Sequence, residues 1–148
     1  MKTLIVIPVR MASRRFPNKP MKLIKGKPMI QRVWEQAVSS SLGDVIVACC
    51  EREVQDLIVS LDGKAVLTDP NLPSGTDRVY AAIQKHSNIN QYDSIINLQG
   101  DMPLIDPKDI EQVNFPLRQG YDIGTLVTSL KDDNETKDIN ITKANIEW

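Results

Sequence analysis

Short continuous apolar runs alternate along the chain with segments in which apolar residues recur at helical spacing. The runs, typical of strands buried on both faces, are TLIVIPV (3–9), DVIVACC (44–50), KAVLT (64–68) and SIINLQ (94–99). The helical spacing predicts helices over about 28–41, 52–61 and 74 or 76 to 86. This alternation predicts a Rossmann-like α/β fold, with a mainly parallel twisted sheet and helices on both faces.

Each predicted helix has an apolar face that we expect to pack on the sheet. The inward residues are expected to be Ile30, Val33, Trp34, Ala37 and Val38 in the first helix, Val54, Leu57, Ile58 and Leu61 in the second, and Val79, Tyr80 and Ile83 in the third. Pro28 suits the first turn of the first helix, Gly43 follows its end, and Gly63 follows the second helix.

The last quarter of the chain is less regular. It predicts a helix over DPKDIEQVNFPL (106–117), a strand over DIGTLVTSL (122–130), a polar link over KDDNETKD (131–138) and a weak strand over NITKANIEW (140–148). A length of 148 residues predicts one α/β domain over 1–148. Because the sequence stops inside predicted regular structure, we expect either a fragment or a last strand that completes a small domain.

Composition narrows the possible partners. The net charge of −1 gives no reason to expect nucleic acid or an anionic membrane. No apolar stretch is long enough to cross a bilayer and the start lacks a signal-peptide pattern, so we expect a cytoplasmic protein. Cys49 and Cys50 are neighbours in an apolar run, and we interpret them as buried thiols.

Ligands of open parallel sheets bind beyond the carboxyl ends of the strands. Three unusual loops follow such ends, at 10–20, 68–78 and 99–106, and we expect them to converge. The first, RMASRRFPNKP, has neither a dinucleotide fingerprint nor a P-loop. It offers Arg10, Ser13 and Lys19, the last held between two prolines, and this mixture fits a polyphosphate. The alternative is a solvated basic loop.

The second loop, LPSGTDR, brings Ser74, Gly75 and Thr76 to a predicted helix N-terminus, which favours anions or polar base edges. Plain capping by Ser74 or Thr76 is the alternative. Arg78 opposes the helix dipole in the first turn, so we expect it to have another role.

The third loop, LQGDMPLIDP, places Asp101 just past a buried strand. One carboxylate facing a basic polyphosphate loop suits Mg²⁺, which binds one or two carboxylates together with phosphate oxygens and water. The alternative is an ordinary turn aspartate.

Together these stretches resemble the cytidylyltransferases that activate 3-deoxy-manno-octulosonate (Kdo), the sugar acid of bacterial lipopolysaccharide. IPVRMASRRFPNKPM is close to the family pattern IPAR-x-x-S-x-R-x-P-x-K-P-L, and GKPMI, PSGTDR and NLQGDMP follow in the family order. The resemblance implies an enzyme that joins CTP and Kdo into CMP-Kdo and pyrophosphate with Mg²⁺, as a homodimer when full length.

The resemblance also implies a role for each matching residue. Arg10, Ser13, Arg15 and Lys19 would hold the triphosphate, Ser74, Gly75 and Arg78 would bind cytosine and ribose, Gln99 would face the sugar, and Asp101 would bind Mg²⁺. Arg10, Lys19 and Asp101 would be the catalytic residues, since Kdo attacks the α-phosphorus while the cations stabilise the departing pyrophosphate.

The chain departs from the family in three ways. Met102 stands where a glutamate often follows QGD, Leu72 stands where many members have histidine, and members continue well past residue 148. Three alternatives stay open: a cytidylyltransferase for 8-amino-Kdo or another nulosonic acid, a nucleotide-binding domain without turnover, and a glycosyltransferase of the GT-A type. The last normally carries an Asp-x-Asp triplet, and this sequence contains none.

Overall fold

The structure is a computed structural model that describes residues 1–12 and 16–144. The strands are β1 (Thr3–Pro8), β2 (Leu23–Ile24), β3 (Lys27–Pro28), β4 (Gly43–Cys49), β5 (Lys64–Leu67) and β6 (Ser94–Asn97). The α-helices are α1 (Met29–Ser39), α2 (Arg52–Ser60), α3 (Gly75–Gln84), α4 (Pro107–Gln112), α5 (Phe115–Arg118) and α6 (Asp133–Lys137). Short 3₁₀ helices cover Lys19–Met21 and Ile89–Gln91. None of the helices in the described ranges is long and apolar enough to cross a membrane.

A parallel sheet with the order β5-β4-β1-β6 forms the centre of the molecule. In its register, Ile5 of β1 lies beside Val45 of β4 and Ile96 of β6. The whole of β1 is buried because strands flank it on both sides and helices cover both faces. The predicted parallel α/β sheet is therefore confirmed.

The two faces of the sheet carry separate cores, as the alternation of side chains along a strand requires. Ile5 and Ile7 of β1 face a core that receives side chains from α1, α2 and α4. Leu4 and Val6 face the opposite core, which receives Val79 of α3. Helices thus cover both faces, as predicted.

Some details of the predicted helices were wrong. Val38 of α1 and Tyr80 of α3 are exposed. The buried face of α1 includes Ala37, one position before Val38, and that of α3 includes Val79, one position before Tyr80. Pro28 lies in β3, opposite Leu23, and immediately precedes α1 instead of forming its first turn.

The predicted helix over 106–117 is divided into α4 and α5. Asp106 caps α4 as predicted, since its side chain accepts the backbone N–H of Lys108 at 2.9 Å. Pro116 lies in the first turn of α5. Proline has no N–H to donate to the carbonyl of Gln112, and its ring would clash with that carbonyl in a continuous helix, which explains why α4 and α5 are separate.

The prediction of a strand over 122–130 was wrong. These residues are irregular, and in the described part of the chain no strand forms a ladder with them. The predicted polar link over 131–138 contains α6, which Asp132 caps by accepting two backbone N–H groups. Of the weak strand predicted over 140–148, residues 140–144 are not a strand and 145–148 lie outside the described residues.

Candidate nucleotide-binding site

The loops after β1, β5 and β6 meet around one pocket of about 290 Å³. It is lined by Pro8, Val9, Arg10, Lys19, Pro20, Met29, Leu72, Ser74, Gly75, Arg78, Gln99, Gly100 and Asp101. Seven of the nine site residues singled out from the sequence are therefore brought together. The other two, Ser13 and Arg15, lie outside the described residues.

The pocket is crossed by an ion pair between two of these loops. Lys19 Nζ lies 2.9 Å from Asp101 Oδ2, although 82 positions separate the two residues in the sequence. The side chains are 40% and 56% exposed, so the pair contributes little to stability. Both groups are accessible to a ligand, and the arrangement sets a cation of the first loop against the carboxylate of the third.

Gly100 lets the third loop approach the end of β1. A Cβ atom at this position would lie 2.8 Å from both the carbonyl oxygen of Pro8 and Cγ2 of Val9, which is closer than real Cβ contacts allow. The N–H of Leu98 donates to the carbonyl of Val6 at 3.0 Å and extends the pairing of the two strands to this point. The position of Asp101 in the pocket therefore depends on a glycine before it.

The N-terminus of α3 forms another wall of the pocket. Ser74 caps the helix, because its hydroxyl oxygen accepts the N–H of Asp77 at 3.1 Å and its O–H donates to the Asp77 carboxylate at 2.5 Å. The capping interpretation is thus correct for Ser74, and the residue also lines the pocket. At Gly75 a Cβ would make ordinary contacts, 3.4 Å from Pro8 and 3.6 Å from Gln99, so the glycine keeps space open without being forced by packing.

Arg78 is only 2% exposed. Its Nη1 donates to the hydroxyl of Thr68 and, at 3.3 Å, to the carbonyl of Asp69, both at the end of β5. Its Nη2 is buried and has no hydrogen-bond partner among the described residues. Because Arg78 lines the pocket, this unpaired donor supports the expectation that the residue has a role beyond the helix surface.

Gln99 lies two residues past the end of β6 and bonds to a polar side chain of that strand. Its Nε2 donates to Asn97 Oδ1 at 2.9 Å, and Asn97 Nδ2 in turn donates to Thr76 Oγ1 at 3.4 Å. Residues two apart on a strand share a face, so the sequence offered a signal for Asn97 that our sequence reasoning missed. Asn97 fixes the direction of the Gln99 amide.

Glu51 is a second residue that sequence reasoning missed. It lies two residues after the end of β4 and directly before α2, and its Oε1 accepts the N–H of Met11 in the first loop at 3.0 Å. The signal was its place at the same edge of the sheet as the three loops, since all four parallel strands end there.

The surroundings of the two thiols near this site favour their protonated form. Burial raises the pKa of Cys49 to about 12, and burial together with the hydrogen bond to Glu51 raises the pKa of Cys50 to about 11. Both are protonated at neutral pH and are poor nucleophiles or metal ligands. Cys49 is buried as predicted, and Cys50 is half-buried.

The donor set fits a magnesium ion held mainly by a nucleotide. Asp101 is the carboxylate that lines the pocket, and the described residues contain no cluster of three or more histidine, cysteine, aspartate or glutamate side chains. Such a set does not make a protein cage for a metal. It suits an ion that takes one carboxylate and fills its other positions with phosphate oxygens and water.

Comparison with known proteins shows the family of the chain. Residues 4–147 match the cytidylyltransferase family. The chain belongs to this family. It is 46% identical over 142 residues to a 3-deoxy-manno-octulosonate cytidylyltransferase of Paramagnetospirillum magneticum, across 95% of the chain and 58% of that relative. A protein of the same description from Rhodospirillum centenum is 43% identical over 145 residues, across 97% of the chain and 56% of that relative.

Two solved structures show a similar fold. A CMP:2-keto-3-deoxy-manno-octonic acid synthetase in complex with CTP is 40% identical, with a TM-score of 0.74 over 80% of this chain and 48% of that one. A cytidylyltransferase of Leptospira borgpetersenii, 21% identical, has a TM-score of 0.68 over 82% of this chain and 51% of that one. The chain thus spans little more than half the length of the curated relatives described above.

Proposed function

We propose that this chain is the nucleotide-binding part of a Kdo cytidylyltransferase, which transfers CMP from CTP to Kdo and releases pyrophosphate. The observation that carries the proposal is the Lys19–Asp101 contact, at 2.9 Å, in a pocket that also holds Arg10, Arg78 and Gln99. Cations, a carboxylate and an amide converge there on a space suited to a nucleotide. The relatives named above and the CTP complex of one family member support the choice of CTP and Kdo.

The protein's part in the reaction is to position the reactants and to neutralise charge. The anomeric hydroxyl of Kdo attacks the α-phosphorus of CTP, its proton passes to solvent, and the bond from that phosphorus to the leaving pyrophosphate breaks. Arg10 and Lys19 stabilise the charge that grows on the phosphate oxygens. Asp101 would hold Mg²⁺, whose charge would add to theirs when it is bound.

The remaining pocket residues would select the substrates. Ser74, Gly75 and Arg78 bind the cytidine, for which the buried, unpaired Nη2 of Arg78 supplies a donor. Gln99 faces the sugar acid, with its amide held by Asn97. Ser13 and Arg15 complete the triphosphate contacts. We place the reaction in lipopolysaccharide synthesis in the cytoplasm, with a homodimer as the full-length form.

Calorimetric titration and a pyrophosphate-release assay test the proposal. We expect this chain to bind CTP with Mg²⁺ more tightly than UTP. Turnover is measured with Kdo, with 8-amino-Kdo and with other nulosonic acids, using the chain alone and the chain joined to the remaining part of the Paramagnetospirillum relative. We expect pyrophosphate release to depend on the presence of Kdo. Failure to bind CTP, or a preference for another sugar acid, would overturn the assignment.

A further inference from the structure

Glu51 occupies an unusual place at the carboxyl edge of the sheet. It is the residue before α2, with φ −111° and ψ 136°, where a side chain commonly caps the helix. Its carboxylate makes no capping hydrogen bond to α2. It contacts the loop after β1 instead, through the Met11 N–H, and it accepts the Cys50 thiol at 3.1 Å.

Two features of its surroundings are unfavourable for the Glu51 carboxylate. Its second oxygen, Oε2, is buried and has no hydrogen-bond partner among the described residues, which is costly for a charged group. It also lies next to a loop whose proposed ligand is an anion, and like charges repel. What the carboxylate supplies is a charge-assisted hydrogen bond to a backbone N–H, about twice as strong as a neutral one.

That hydrogen bond stands at the start of a chain of contacts that leads to Lys19. The β1 ladder ends when the N–H of Val9 donates to Ala48 at 2.8 Å, and beyond it Glu51 holds Met11. The carbonyl of Met11 accepts the N–H of Asn18 at 3.1 Å, which closes the loop at its base. Asn18 directly precedes Lys19, whose ammonium reaches Asp101.

The structure assigns Glu51 as the positioning residue of this loop, and the inference rests on the proposed function for its consequence on CTP. With both polar groups of the Met11 backbone bonded, the stem formed by Met11 and Asn18 is fixed, and Arg10 and Lys19 project from its two sides into the pocket. Glu51 itself is not among the residues that line the pocket. It acts through the loop rather than on the ligand.

Three variants test this role: Glu51→Ala removes the acceptor, Glu51→Gln keeps an acceptor oxygen without the charge, and Glu53→Ala removes an exposed carboxylate in the first turn of α2. Amide hydrogen exchange at Met11 and Asn18 is measured without nucleotide, and the dissociation constant of CTP with Mg²⁺ is measured by calorimetry. For Glu51→Ala we expect exchange at both amides to accelerate and CTP binding to weaken about tenfold.

The controls separate positioning from folding. Amides of β1 should keep their protection in Glu51→Ala, Glu51→Gln should recover most of the affinity, and Glu53→Ala should match the unchanged chain. Unchanged exchange at Met11 in Glu51→Ala would overturn the assignment, as would a Glu51→Gln protein as weak as Glu51→Ala. If the unchanged chain binds no CTP, the proposed function fails, while the exchange measurement still decides whether Glu51 holds the loop.

Discussion

The exposure of apolar side chains differs between two regions of the molecule. We call residues 1–114 the sheet region and residues 115–144 the C-terminal segment. In the sheet region, side chains such as Ile5 are 0% exposed and belong to cores on both faces of the sheet. In the described part of the C-terminal segment no residue is buried, and Ile123 is 86% exposed. Among the described residues the last buried side chain is Asn114, whose amide donates to the hydroxyl of Thr3 at 2.8 Å.

This difference shows that an apolar run forms a strand only where a neighbouring strand pairs with its backbone. β1 has a hydrogen-bonded strand on each side. The segment 122–130 contains residue types that are typical of strands, but its backbone is not paired in a ladder. Because an unpaired strand leaves its backbone groups to water and its side chains unpacked, propensity alone does not form it. The proposed site is accordingly confined to the region where strands are paired.

Matched isoleucines test the comparison through stability. Ile5→Ala removes a side chain from the larger core and should lower the free energy of unfolding by about 2–5 kcal/mol, because it leaves a cavity among residues that cannot fully collapse. Ile123→Ala removes an exposed side chain and should change it by less than about 0.5 kcal/mol. Urea denaturation measures both. A large loss from Ile123→Ala would mean that the C-terminal segment is packed in solution.

Matched lysines test the comparison through activity. If Lys19 stabilises the reaction as proposed, Lys19→Ala should slow pyrophosphate release about 10²- to 10³-fold, the effect of losing one donor to a developing charge. Lys137→Ala, in the exposed α6, should leave the rate unchanged. Neither change should shift the urea midpoint appreciably, since Lys137 is exposed and the partly exposed ion pair of Lys19 contributes little to stability. Equal rates for the two variants would contradict the role of Lys19.

The sheet region could be predicted well because its information is local. Each buried strand is a short apolar run, each helix has a periodic face, and the loops after β1, β5 and β6 are marked by charged and glycine residues. Parallel strands end at one edge, so the convergence of Lys19, Arg78 and Asp101 followed from the fold. The strand order was not predicted, because no local pattern states which buried strand lies beside which.

The features that the sequence did not predict depend on side-chain directions and on pairing between distant segments. The burial of Arg78 against the end of β5, and the turn of Glu51 toward Met11, are set by how neighbouring elements meet. The missing strand over 122–130 has the same cause, since a ladder is a contact between distant segments. Sequence reasoning therefore located the site but did not identify the residues that position its parts.

Matched tyrosines test the comparison at the opposite edge of the sheet, with the smallest expected effect. Tyr92 donates its O–H to Asp44 Oδ2 at 2.6 Å, which lowers the pKa of Asp44 below its usual value of 3.8. Burial, together with this bond, raises the pKa of Tyr92 to about 12. Tyr92→Phe should therefore cost about 1 kcal/mol of unfolding free energy at pH 7. Tyr121→Phe, at a side chain 69% exposed, should cost nothing measurable.

The pH dependence of the free energy of unfolding tests whether the Tyr92–Asp44 hydrogen bond causes the loss of stability in Tyr92→Phe. A carboxyl whose pKa is lowered on folding stabilises the fold above its unfolded pKa, so the Asp44 contribution should disappear as pH falls below about 3.8. A phenol whose pKa is raised stabilises the fold below its unfolded pKa near 10, and this contribution should be lost as pH rises toward about 12. Urea denaturation from pH 3 to pH 11 should show Tyr92→Phe converging on the unchanged protein at the acidic end. A constant difference across that range would show that packing, rather than the Asp44 hydrogen bond, causes the loss.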